Sequence, residues 1–403
     1  MSRLPDASWR ARAGLDALVR TLGAGDGLVR FVGGAVRDTL LGLPVADIDC
    51  ATALMPDEVR ERIRAAGFKA VPTGIAHGTV TAVLPEGPVE VTTLRRDVST
   101  DGRRATVAFT EDWREDAARR DFTINALSAD PLTGEIHDYF GGLGDLEAGL
   151  VRFIGDAERR IAEDHLRILR FFRFHARFGQ GAPDAAGLAA CAARANDLMA
   201  LSRERIADEL IKLLAVADPT PTVALMVEHG IFAPVLPEID AAGVARLAEL
   251  VAREQIMARP DPLRRLAALL PADPAVAENV AARLKLSNAN RKRLALAADD
   301  AAPIEPRRLA YRIGSEGATD RLLLRAPDRD SAASGLAALE GWAPPRLPLG
   351  GGDLIRRGLK AGPVVAATLR AIERRWVEED FPGEARLAAI LAEEVDQAAR
   401  ASR

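Results

Sequence analysis

The stretch LVRFVGGAVRDTLLGLPVADIDCAT, residues 28–52, decides how this chain is read. An apolar run feeds the Gly33-Gly34 pair, a short helix is expected at about 35–41, and the stretch ends on Asp47-Ile48-Asp49. Side chains of an extended segment alternate between faces with a period of two, so Asp47 and Asp49 project the same way. Carboxylates held close repel each other, and both stay ionised most easily with a cation between them. The glycines complement these acids. Lacking Cβ atoms, they let backbone N–H groups approach an anion, and the helix behind them turns its positive end towards it. Arg37, in the first turn, offers a planar donor fork to a triphosphate. The stretch therefore predicts a nucleoside triphosphate cradled by Gly33, Gly34 and Arg37, with Mg2+ bridging it to Asp47 and Asp49. Gly-Gly turns and Asp-x-Asp pairs each arise by chance, so it is their order within one short segment that carries the reading.

With those residues in place, GGAVRDTLLGLPVADID resembles the signature of the DNA polymerase beta-type nucleotidyltransferase superfamily. Within it, the segment is most similar to the class II tRNA nucleotidyltransferase and poly(A) polymerase family. The resemblance runs in separate blocks through about the first 215 residues. It implies an enzyme that extends a tRNA 3' acceptor end from CTP and ATP with Mg2+ and without a nucleic-acid template.

Length and composition are compatible with that expectation. A chain of 403 residues holds two or three domains with substantial cores. A net charge of −4 argues for a local basic groove rather than a broad electrostatic grip on nucleic acid. Aromatic residues make up 4%, so base-stacking platforms are sparse. Of the 54 basic residues five are lysine, which makes any single arginine weak evidence of function. Cys50 and Cys191 stand far apart, without the spacing of a disulfide framework or a zinc site. No apolar run approaches a membrane span, and MSRLPDASWR has no signal-peptide core. A cytoplasmic protein is expected, with no membrane association and no protein partner implied.

The first part of the chain alternates short apolar strands with helices: LVRFVG, the Asp47 strand, a helix near 56–66, then TVTAVL and PVEVTTL. Beyond about residue 146 strand signals fade into successive helices rich in Ala, Leu and Arg. The fold class expected is α+β. A nucleotidyltransferase head of mixed sheet and helices at 1–143 precedes an all-helical neck at 144–217, body at 218–300 and tail at 301–403. The resemblance assigns base recognition to the neck and tRNA binding to the tail.

Further candidates lie in later blocks. Glu90, on a hairpin-like strand, reads either as a third carboxylate for the metal or as a surface acid on an edge strand. After it, RRDVSTDGRRATVAFTEDW, residues 95–113, is polar, lacks apolar periodicity and reads as a mobile loop. In the family such a loop carries a basic-x-Asp element associated with the switch from C to A addition, which Arg95-Arg96-Asp97 fits. RRDFTINA, residues 119–126, matches another family block: Arg120 can bind phosphate, while Asp121 and Asn125, four apart on a helical face, can hydrogen-bond a ribose hydroxyl. His77 reads as structural. His137-Asp138 has no visible companions for a metal-hydrolase site.

AERRIAEDHLRILRFFRFHARF, residues 157–178, carries base choice. Its apolar residues wrap nearly all round a helical wheel, predicting a buried helix. Asp164, Arg167, Arg170 and Arg173 recur at i+3 along one side, and such charges need partners or a polar cavity. A carboxylate only accepts and a guanidinium only donates. Cytosine and adenine present an amino donor beside a ring acceptor, whereas uracil and guanine reverse that order. Asp164 with Arg167 would thus select C and A, with about 1–3 kcal/mol per bidentate contact. The family uses an Asp and an Arg here as a protein template, with Arg170 and Arg173 at further nucleotide-contacting positions. LSRERIADELIKLLA, residues 201–215, reads as a bracing helix with Ser202 as N-cap and Arg205 and Glu209 one turn apart. Arg291-Lys292-Arg293 reads as a phosphate contact or as a solvated basic face.

A poly(A) polymerase or an A-only adder of the same family shares these blocks, and a catalytically inactive RNA-binding module is the alternative of another class. The intact Asp47-Asp49 pair disfavours the last. Asp47→Ala is expected to abolish nucleotide transfer and to leave tRNA binding largely intact in a gel-shift assay; substantial residual transfer refutes the metal assignment.

Overall fold

Alternation along a few short strands builds the head. In the computed structural model, which describes residues 2–100, 105–255, 259–299 and 305–401, the strands are β1 (Val29–Val32), β2 (Asp49–Thr52), β3 (Lys69–Gly74), β4 (Thr79–Leu84), β5 (Gly87–Thr93), β6 (Arg95–Thr100), β7 (Ala105–Phe109), β8 (Ser128–Ala129) and β9 (Ile136–His137). Seven of them form one mixed sheet in the order β3-β4-β5-β2-β1-β8-β9. The β2–β5 pair is parallel and its neighbours are antiparallel. Val80, Val91, Cys50, Phe31 and Ala129 stand side by side across the sheet, all buried. One residue along, Glu90 stands opposite Asp49, on the other face by the same alternation. Register thus sends an apolar row into the core and an acidic row away from it.

The helices of the head are α1 (Leu15–Thr21), α2 (Gly34–Leu40), α3 (Pro56–Ala65), α4 (Trp113–Ala118) and α5 (Gly142–Glu147). Gly33, with φ 63° and ψ −123°, makes the turn from β1 into α2, a backbone conformation that favours glycine. The expected loop at 95–113 is instead largely a hairpin, with Arg95 opposite Phe109 and Thr100 opposite Ala105. Its backbone ladder pairs the two strands without apolar alternation in the sequence. Residues 101–104 of that loop lie outside the described residues.

Helices α6 (Ala157–Glu163), α7 (Arg167–Phe178), α8 (Ala185–Ala193), α9 (Arg203–Leu214) and α10 (Thr220–Glu228) follow in the same unit. The single helix expected over 157–178 is broken at Asp164, which is extended at φ −152° and ψ 106°. Its carboxylate accepts from Leu166 N at 3.1 Å, and its carbonyl accepts from Arg167 N at 3.0 Å. Asp competes with the helix for backbone donors, ending one helix and starting the next. Helix α7 is buried as expected, with Ile168, Phe171 and Phe172 each 0% exposed. Phe122 packs against Phe153, Phe171 and Phe174 at 4.9, 6.3 and 5.2 Å between ring centroids, so the block at 119–126 docks directly on α7.

Internal packing divides the chain into Met1–Ile239 and Asp240–Arg403. The regular elements among the described residues of the second unit are all helices, and it holds a buried ion cluster. Glu254 accepts from Arg264 at 2.9 Å and Arg265 at 2.7 Å, and Asp320 accepts from Arg264 at 2.8 Å. Arg293 joins it through Asp320 at 2.6 Å and Asp261 at 2.7 Å, so the basic triplet is not simply a solvated face. Farther on, Tyr311, Trp342, Trp376 and Phe381 form an aromatic cluster.

A Cβ on Gly142 would lie 2.3 Å from the Thr123 carbonyl oxygen, on the turn that presents Asn125. Gly142→Ala is expected to cost about 2 kcal/mol through overpacking and to lower Tm by a few degrees in thermal denaturation; an unchanged Tm contradicts this contact.

Candidate active site

Where β1 turns into α2, and where the 119–126 block meets α7, the elements enclose a cavity of about 380 Å³. It is lined by Gly33, Gly34, Arg37, Asp49, Arg120, Asp121, Asn125, Asp164, Arg167, Arg170 and Phe174. Every site residue expected from sequence lines it except Asp47, Glu90 and Arg173. A groove of about 480 Å³ in the second unit is lined by Arg291 and Lys292 of the basic triplet and by none of the residues expected at the nucleotide site.

The lining is a connected set of charges. Arg170 Nε donates to Asp121 Oδ2 at 2.8 Å, and Asn125 Nδ2 donates to Asp121 Oδ1 at 2.9 Å. Burial raises the Asp121 carboxyl, but Arg170 and these hydrogen bonds outweigh it and hold the group below the usual carboxylate range. Arg37 donates Nη1 to Asn125 Oδ1 and Nε to Asp38 at 2.8 Å, with its guanidinium 4.2 Å from the Phe178 ring centroid. Burial lowers the pKa of Arg37. Its fork is therefore largely engaged by protein rather than spread open towards a phosphate. Arg120 lies over the glycine turn, with Nη1 3.0 Å from where a Gly33 Cβ would be.

The expected Asp164–Arg167 couple is arranged differently. Because the helix breaks between them, they do not share an i,i+3 face. Asp164 is held by Arg205, whose Nη2 donates to both carboxylate oxygens at 3.0 Å. Arg167 Nη1 donates to Glu163 at 2.7 Å and to the Arg160 carbonyl at 2.8 Å, and Nη2 donates to the Arg119 carbonyl at 3.1 Å. Both still face the same cavity. Arg173 turns aside and donates Nε to Glu209 at 2.6 Å. Glu209 is 4% exposed and also lies 3.9 Å from Arg170, so α9 braces α7 electrostatically as its sequence suggested. Ser202 sits at the N-cap of α9, but its hydroxyl makes no capping bond.

Residues 29–152 match the Poly A polymerase head domain family, and residues 184–242 match the family described as probable RNA and SrmB- binding site of polymerase A. The mitochondrial CCA tRNA nucleotidyltransferase 1 of Mus musculus is 35% identical over 91% of this chain and 87% of its own length. The CCA-adding enzyme of Lacticaseibacillus paracasei is 33% identical over 91% and 92%. This chain belongs to the CCA tRNA nucleotidyltransferase family. The Bacillus stearothermophilus CCA-adding enzyme in complex with CTP superposes with a TM-score of 0.75 at 29% identity, over 94% of this chain and 96% of that one. A Thermotoga maritima CCA-adding enzyme complexed with tRNA, 22% identical with a TM-score of 0.71 over 98% and 100%, shares the fold.

Family members of this kind are generally metal-dependent, and the acidic row can be tested for that role. Burial, then the Glu90 carboxylate and more weakly that of Asp47, push the Asp49 carboxyl above its ordinary range, with Arg120 opposing. Ile48 is buried between the two aspartates, so Asp47 and Asp49 share the face opposite it. Among the described residues, no three acid, imidazole or thiol groups form a closed cluster able to hold a metal. Mg2+ commonly takes one or two carboxylates and completes its shell with substrate phosphates and water, which suits an open acidic pair beside an anion cradle. Asp138 serves structure, since it accepts from Gly142 N and Leu143 N at 2.9 Å each.

Sequence reasoning missed Phe174 as a wall of the cavity. Its ring lies 5.2 Å from the Arg170 guanidinium and 4.5 Å from that of Arg173. The i,i+4 spacing from Arg170 could have revealed it. It also missed Glu163, which is one residue from Asp164 and one turn before Arg167.

A carboxyl whose pKa is raised in the folded state binds its proton more tightly there than in the unfolded chain. Stability is therefore lost as pH rises through the unfolded value towards the folded one. Without divalent ions or nucleotide, Asp49→Asn is expected to raise Tm at neutral pH, with a gain that shrinks on acidification, while transfer is lost. A lower Tm at neutral pH contradicts the upward shift of Asp49.

Proposed function

We propose that this protein adds C, C and A in order to the 3' end of tRNA, using CTP and ATP and releasing pyrophosphate. The observation that carries the reading is one cavity holding an acceptor-only Asp164 and a donor-only Arg167 beside Asp49 and the Gly33-Gly34 turn. The relatives named for CCA addition, similar over nearly the whole chain, support the same reaction.

In this proposal Gly33 and Gly34 bring backbone close to the triphosphate, and Arg120 and Arg170 supply positive charge along it. Asn125, fixed between Arg37 and Asp121, presents polar atoms to the ribose. Arg37 acts mainly by orienting Asn125, and Arg173 by bracing α7. Asp164 accepts the amino hydrogen of cytosine or adenine while Arg167 donates to the adjoining ring nitrogen, so base choice needs no template strand. Asp47 and Asp49 would hold Mg2+, with Glu90 at the margin of the acidic row. Such an ion lowers the pKa of an attacking hydroxyl and neutralises charge on a leaving phosphate. The tRNA 3' oxygen bonds to the α-phosphorus, the bond to the β-phosphate oxygen breaks, and pyrophosphate departs without a covalent enzyme intermediate.

The division into head, neck, body and tail at 143, 217 and 300 belongs to the same proposal. Among the described residues no helix is long and apolar enough to cross a membrane. The cytoplasmic assignment is supported by two free, buried cysteines. A poly(A) polymerase shares the cavity, but the net charge of −4 is less suited to gripping an RNA of arbitrary sequence.

Purified protein given tRNA lacking its 3' end is expected to add only C from CTP alone. With CTP and ATP together it adds C, C and A and then halts, as read by sequencing the products. Continued A addition, or A addition without C, contradicts the proposal.

A further inference from the structure

Two groups proposed to read the base carry opposite charges and lie three residues apart in sequence. Left to themselves they would pair and cancel each other as readers. The structure keeps them apart by giving each its own partner. Arg167 is held by Glu163 and by the carbonyls of Arg160 and Arg119. Asp164 is held by Arg205, which comes from the first turn of α9 and does not line the cavity.

We infer that Arg205 is a positioning residue for base selection, fixing the Asp164 carboxylate at the angle from which it accepts a base amino group. The inference rests on the proposed role of Asp164 in contacting the base. Asp164 lies at the break between α6 and α7, outside either helix, and the terminal torsion of an aspartate is otherwise broad. Arg205 Nη2 donates to Oδ1 and Oδ2 at 3.0 Å each, and Leu166 N donates to Oδ1 at 3.1 Å. A carboxylate has about four lone-pair sites, two on each oxygen. These contacts use both sites of Oδ1 and one of Oδ2, leaving Oδ2 to accept one further donor. An amino group of cytosine or adenine fills that place, whereas the carbonyl oxygen of uracil or guanine meets a second acceptor.

The same helix face completes the arrangement. Glu209, one turn beyond Arg205, holds Arg173 and flanks Arg170. Helix α9 therefore presents a cation to the carboxylate and a carboxylate to the arginines, a charge-reversed complement to the 164–173 row. Loss of Arg205 frees Asp164 to rotate towards Arg167, which removes acceptor and donor together.

The test uses the full chain, tRNA lacking its 3' end, and each of the four nucleoside triphosphates in turn. Arg205→Gln is expected to raise the ratio of U to C incorporation, and of G to A, by about tenfold, the loss of one well-aligned contact. It should raise KM for CTP and ATP more than it lowers kcat. Arg205→Lys, which retains charge without the fork, restores part of the selectivity, and it carries the test should Arg205→Gln fail to fold. A simple bracing role would lower Tm and leave the incorporation ratios alone. Unchanged ratios in the Arg205 variants, with altered ratios in Asp164→Asn, overturn the positioning role by itself. Unchanged ratios in Asp164→Asn overturn the reading of Asp164 and this inference with it.

Discussion

The ion pair between Arg170 and Asp121 joins the 119–126 block to α7, and both of its members line the cavity. Asp121 is buried while Arg170 is half-buried, and leaving the buried carboxylate without its cation would be costly. Pairing satisfies Asp121, whose second oxygen then fixes Asn125. Arg37, which packs on Phe178, donates to Asn125 from the other side and completes its orientation. From one ion pair the contacts run through Asn125 and Arg37 to Phe178 at the end of α7. The Phe122 ring anchors the same junction from beneath.

The acidic side of the cavity works by the opposite principle. Asp49 lines the cavity with Glu90 and Asp47 nearby but outside the lining, and burial first, then the neighbouring carboxylates, raise its pKa against the opposing influence of Arg120. A carboxylate beside an anion cradle has the character of a site that meets a divalent ion together with a triphosphate. Sheet register produces this crowding, since the parallel β2–β5 pairing sets Asp49 opposite Glu90.

Much of the fold was legible in local pattern. Alternation in 28–52, 79–84 and 87–93 marked the strands, and the all-round apolar wheel marked α7 as buried. The hairpin at 95–109 was not legible. Its ladder is made by backbone groups, and its side chains carry little apolar signal. The break at Asp164 was hidden for a related reason: helical periodicity continues through the residue, while its side chain captures the backbone donor of Leu166.

The sequence by itself pointed to the chemical groups of the candidate site, because glycine, carboxylate and guanidinium occur there in one order within short segments. Ten of the expected positions line one cavity for that reason, Gly33, Asp49 and Arg167 among them. Only the tertiary structure decided which group faces which. That Asp164 is held by Arg205 rather than Arg167, and that Arg173 serves Glu209, depends on where a later helix lands. Charge pairing is set by distance in space, and spacing along the chain constrains that distance only within a single unbroken element.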